Sequence, residues 1–82
     1  MKSLKESLKR LGIELENKYM IIRTEEKTLV VPYKHIRTIE LKGNKVVILT
    51  GGIERITVDM SSSEMAVSLL EELLVYLERV YL

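Results

Sequence analysis

The chain has 82 residues, 46% of them hydrophobic, with no Cys, Trp or Phe, and a formal net charge of +1 from 13 basic and 12 acidic side chains. That length holds one domain, residues 1–82, and a chain so short buries only about 60% of its unfolded surface, so its core is marginal. The missing cysteines exclude disulfides, thiolate chemistry and the classical zinc ligand sets, and the near-zero charge argues against a strong pull on nucleic acid or anionic lipid.

Ser3 to Leu11 predicts a short helix. Ser3 and Glu6 form a capping-box pair, Leu4, Leu8 and Leu11 share one face, and Gly12 is the natural stop because it takes positive φ at little cost. A helix this short does not hold alone in water, so it must dock. From Ile13 the hydrophobic period changes from about 3.6 to 2. Ile13 and Leu15 alternate with Glu14 and Glu16. Asn17-Lys18 predicts a tight turn, with Asn tolerating the left-handed region. Tyr19 to Thr24 is the next strand, followed by the polar loop Glu25-Glu26-Lys27. Leu29-Val30-Val31 is a third strand, ended by Pro32, which cannot donate to a ladder.

Ile36 to Leu41 places apolar residues at 36, 39 and 41, which breaks strict alternation. A bulge near Arg37-Thr38 reconciles them. Turns at Lys42-Gly43-Asn44-Lys45 and Gly51-Gly52 flank the apolar strand Val46 to Thr50, and Ile53 to Val58 is the last strand. Ser61, paired with Glu64, is the expected N-cap of a long closing helix that reaches Leu82 without Gly or Pro. The expected fold class is α+β: an antiparallel meander of about five strands, flanked by a short N-terminal and a long C-terminal helix. Its core is aliphatic, with the four Tyr at its margins.

The closing helix is more apolar than one contact requires. At about 100° per residue, Met65, Ala66, Val67, Leu69, Leu70, Leu73, Leu74, Tyr76, Leu77, Val80 and Tyr81 fill a continuous arc of roughly 200°. A helix lying on a sheet needs about 100° or a little more. Two explanations, which are compatible with each other, account for this: the N-terminal helix packs beside it and covers the spare flank with Leu4, Leu8 and Leu11, and the flank meets the same helix of a second subunit. The ends are also oppositely charged. Residues 1–12 carry four basic groups against Glu6, and residues 61–82 carry four glutamates against Arg79. The ends are therefore candidates to face each other, within or between chains.

The residues offer little for chemistry. His35, the single histidine, has no orienting partner or co-ligand at a usable spacing. The pairs Glu14/Glu16, Glu25/Glu26 and Glu71/Glu72 lack an ion-binding loop pattern. Ser61-Ser62-Ser63 lacks the motifs of a nucleophile, and Gly43 and Gly51-Gly52 fit no phosphate loop. No enzyme activity, cofactor or metal is expected. No apolar leader opens the sequence and no apolar run is long enough to span a membrane, so a cytoplasmic location is expected.

The stretch Val31-Pro32, Ile36, Ile39, then Val46–Leu49 and Ile53–Val58 before an amphipathic helix, resembles prokaryotic pleckstrin-homology-like domains. The resemblance covers about half the chain and implies a binding scaffold. It carries over no site residue. The chain departs from that family in opening with a helix and in being short for a seven-stranded barrel.

The leading expectation is a non-catalytic protein-interaction or oligomerisation module, a homodimer or a binder of another protein, acting through Leu70, Leu74, Leu77 and Tyr81. The alternative is a small nucleic-acid-binding protein that uses Lys34, Arg37, Lys42 and Lys45, with Tyr33 for stacking.

Overall fold

A computed structural model describes residues 4–52 and 54–81. Helix α1 (Leu4–Arg10) leads into β1 (Ile13–Leu15), β2 (Tyr19–Arg23) and β3 (Thr28–Pro32). A 3-10 turn (Tyr33–His35) connects to β4 (Ile36–Lys42), β5 (Lys45–Thr50) and β6 (Arg55–Asp59), and α2 (Ser63–Tyr81) closes the chain. The class is α+β, as expected. The strands number six, however, and form two antiparallel three-stranded sheets, β1-β2-β3 and β4-β5-β6, in place of one meander of about five. The break falls at Pro32, which ends β3 and offers no N–H to continue a ladder, and at the tight turn that follows it.

Local punctuation follows the residue chemistry. Gly12 has φ +85° and stops α1. Its carbonyl accepts the Arg23 N–H at 2.7 Å, and a Cβ built on it would collide with the Arg23 carbonyl oxygen. Ile36 pairs with Thr50 and Thr38 with Leu49, which leaves Arg37 as the extra residue of the expected bulge. The Asn17-Lys18 connection closes with the Glu16 N–H on the Tyr19 carbonyl. It does so without the left-handed Asn17, since no non-glycine residue described has positive φ.

The cap of α2 is Ser62, one residue later than expected. Its Oγ accepts the Met65 N–H at 3.1 Å and its carbonyl accepts the Ala66 N–H. Glu64 then lies in the first turn, where the helix dipole favours an anion. The Ser3 capping box, the start of the last strand at Ile53 and the helix end at Leu82 fall outside the described residues.

The core is mainly aliphatic. Leu8, Ile13, Met20, Ile48, Leu69 and Leu73 are fully buried, and among the described residues no buried side chain is charged and only two, both tyrosines, carry a hydroxyl. Two tyrosines depart from the expected margin: Tyr33 is 0% exposed and Tyr76 is 5% exposed. Tyr33 sits in the turn joining the two sheets. Its hydroxyl donates to the Glu16 carbonyl at 2.6 Å, its backbone N–H donates to the Lys18 carbonyl, and its ring lies 5.6 Å from that of Tyr76. Burial pushes the Tyr33 phenol above its ordinary range, so it acts as a neutral donor.

Helix α1 docks chiefly on β1, with Leu8 in the core and Leu4 packed against it, while Leu11 is left exposed. Helix α2 rests chiefly on the 3-10 turn, β5 and β4. The two helices therefore serve different sheets. The expectation that α1 seals the flank of α2 gives way to this arrangement, since Leu11, Leu74 and Tyr81 all stay exposed.

Two substitutions test these joints. Gly12→Ala lowers stability by at least about 1–2 kcal/mol, because the left-handed backbone is costly for any L side chain, and thermal unfolding reads this as a drop in Tm. Tyr33→Phe keeps the ring and leaves the Glu16 carbonyl without its donor, a loss of about 1–2 kcal/mol. That corresponds to about 4–8 °C in Tm per kcal/mol for a domain of this size. An unchanged Tm for Tyr33→Phe would show that the bond carries no stability.

Candidate interaction surface

Helix α2 buries Ala66, Leu69, Leu73 and Tyr76, with Val80 packed partly against the same core. These residues are spaced alternately by three and four, the pattern of a helix seam. A second seam with the same spacing, one residue further on, runs through Val67, Leu70, Leu74, Leu77 and Tyr81. A shift of one residue rotates it by about 100° around the helix, away from the sheet. Leu74 is 51% exposed, Tyr81 61% and Val67 41%, while Leu70 and Leu77 are half-buried.

The expected quartet comes together. Leu70, Leu74, Leu77 and Tyr81 line one open groove with Ile36, Arg37 and Ile39 of β4. Beyond Leu74, Leu77 and Tyr81 the surface continues over Val75 to Glu78. The groove thus has a floor of aliphatic side chains, a cationic rim at Arg37 on the sheet side and an anionic rim at Glu78 on the solvent side. Glu71, seven residues before Glu78, falls on that same rim of the helix. Tyr81 is held in place because its hydroxyl donates to the Lys34 carbonyl at 3.0 Å.

The rest of the expected basic stretch is dispersed. Tyr33 is removed from any stacking role by its burial. Lys42 and Lys45 face each other across the β4–β5 turn, with Lys45 3.8 Å from Asp59. On the same sheet, Arg55 lies 3.5 Å from Glu40. Carboxylates therefore interrupt the positive surface along the strands. Lys34 and Arg37 sit at the other end of β4, near Gly51 and Gly52.

Of the remaining carboxylates, Glu14 meets Arg23 at 2.7 Å across β1 and β2, and that hydrogen bond holds its carboxyl below the ordinary range. His35 occupies the end of the 3-10 turn, and its carbonyl accepts the Gly51 N–H. Among the described residues no helix is long and apolar enough to cross a membrane.

Sequence reasoning located the exposed flank of α2 but missed Ile36 and Ile39, which join it only through the packing of α2 on β4. Val67 was within reach, because it continues the three–four spacing of the other four. Comparison with family models, with curated proteins and with solved structures found no match to this chain.

Proposed function

We propose that the chain is a non-catalytic self-association module in which the exposed seam of α2 packs against the same seam of a second copy. The supporting observation is the groove itself: Leu70, Leu74, Leu77 and Tyr81 aligned with Ile36 and Ile39 on one open face. Spacing of three and four is the geometry by which one helix takes another, knob into hole. A second copy supplies a seam of the same length and period, and a two-fold axis makes the contact self-complementary.

The rims favour one orientation. An axis running along the two helices sets them parallel and places the Glu71 and Glu78 rim over the partner's Arg37. An axis across the helices would oppose the two glutamate rims. Opposite charges at a rim fix register and speed encounter more than they add affinity. The main contribution is burial of apolar area, about 25 cal/mol per Å² before association costs are subtracted. Membership of the pleckstrin-homology-like class, with its binding-scaffold role, belongs to the same proposal.

Light scattering of the purified chain over a range of concentrations is the test. The parent chain is expected to shift from monomer to dimer as concentration rises, and Leu74→Glu is expected to stay monomeric. Because Leu74 is half-exposed in the single chain, that change moves monomer stability by only about 0.5 kcal/mol, so the variant remains folded. A parent chain that is monomeric at every concentration overturns the proposal.

A further inference from the structure

A second concave site lies at the opposite border of the α2 C-terminal turn. A cleft of about 540 Å³ is lined by Lys18 from the β1–β2 turn, Lys34 and His35 from the 3-10 turn, and Arg79 from α2, with Pro32 and Val80 as its apolar wall. Three elements far apart in sequence bring these basic groups together. Among the described residues no acidic side chain lines the cleft. The nearest acids in sequence face elsewhere: Glu16 lines a different cleft beside α1, and Glu78 borders the apolar groove.

The three ion pairs found among the described residues use none of these four basic side chains. The Arg79 guanidinium carbon lies 5.3 Å from the centroid of the Tyr76 ring, a cation–π contact that consumes none of its N–H donors. The C-terminal end of a helix attracts cations, but it carries only about half a negative charge. Lys18, Lys34 and Arg79 bring three positive charges, so the cleft keeps a large positive excess. Its volume is within the range of small-molecule sites, about 300–1,000 Å³, and well beyond what a bare inorganic ion fills.

We infer that this cleft binds a small organic phosphate, its dianionic head held by Lys18, Lys34, His35 and Arg79 and its organic body against Pro32 and Val80. A phosphate suits the site better than a carboxylate because it presents three acceptor oxygens to the several basic side chains that line the cleft, and guanidinium matches it with a bidentate fork. The inference is independent of the self-association proposal: it uses different side chains and survives a chain that is always monomeric.

The test is amide NMR titration of the full chain at constant ionic strength with adenosine monophosphate, with adenosine as the uncharged control and sodium chloride as the non-specific one. Saturable shifts are expected at Lys18, Lys34, His35, Arg79 and Val80 with the nucleotide alone. A Lys18→Gln/Lys34→Gln double variant is expected to weaken binding about tenfold or more. A Lys5→Gln/Lys27→Gln variant, with the same change in net charge away from the cleft, is expected to bind as the parent does. Thermal melts establish that both variants are folded. The inference is overturned by shifts that never saturate, by equal shifts with chloride, or by equal weakening in both variants. It is also overturned if a single-stranded oligonucleotide binds across Arg37, Lys42 and Lys45 while the mononucleotide does not, which would make the chain a nucleic-acid binder.

Discussion

Tyr33, a ring with no exposed surface, joins the two halves of this molecule: its hydroxyl holds the Glu16 carbonyl beside the first sheet, and its ring meets Tyr76 of α2 inside a core cluster that both sheets share. Each half is a three-stranded sheet, and no ladder links the sheets among the described residues. Three strands with one apolar face stand at the lower limit of independent stability. The halves therefore depend on side chains that reach across. Tyr33 does this from the connecting turn, holding the β1–β2 turn through its hydroxyl and backbone N–H while its ring meets Tyr76 of α2. A phenylalanine there would fill the same space and leave a partly buried carbonyl without its donor, which is why a tyrosine suits this joint.

Where α2 lies follows from that joint. Tyr76 against Tyr33 fixes one point along the helix, and the Tyr81 hydroxyl on the Lys34 carbonyl fixes another about one and a half turns further on. Both contacts are to the same 3-10 turn, so the helix can present only one seam, Ala66 to Val80, to β5 and the core. The second seam, one residue round, must face outward over β4. Helix α1 cannot reach it from its place on β1, because Gly12 reverses the chain there and seats Leu8 among the strands of the first sheet. The exposed groove is thus a consequence of how two sheets are pinned together, and the apolar residues that fill it are a separate property of the sequence.

Much of this is legible in the residues and some is not. Gly12 as a helix stop, Pro32 as a strand end and the bulge at Arg37 each rest on backbone chemistry that acts within a few residues, and each is found where that chemistry puts it. The excess apolar arc of α2 was legible for the same reason, since angular position on a helix follows from sequence spacing alone. The division into two sheets was not, because apolar alternation specifies that strands exist and says nothing of which ladders close. Tyr33 looks like a surface aromatic in a basic stretch, and only the β1–β2 turn, fifteen residues back in the chain, makes its burial possible. The cleft at Lys18 and Arg79 was hidden likewise. Their separation in sequence is most of the chain length, and neither has a neighbour of like kind in the motif that drew attention to Lys34 and Arg37. The shift of the α2 cap from Ser61 to Ser62 reflects three consecutive serines with nearly equal claims, decided by which hydroxyl reaches the Met65 N–H.

The two candidate surfaces differ in kind, and the difference follows from how each is supported. The groove is built on one helix and one strand, and its side chains are aliphatic, so it selects by shape and by the period of what lies against it. The cleft is assembled from a hairpin turn, a 3-10 turn and a helix end, and its side chains are long, cationic and exposed, so it selects by charge and donor geometry. The same short turn supplies both. The Lys34 carbonyl anchors Tyr81 at the edge of the groove, while the Lys34 side chain lines the cleft. In a chain with so small a core, where every ordered residue costs conformational entropy, a turn already immobilised by Tyr33 is the least costly place to hold side chains still. Both surfaces border this turn, which Tyr33 braces through its hydroxyl, its backbone N–H and its ring.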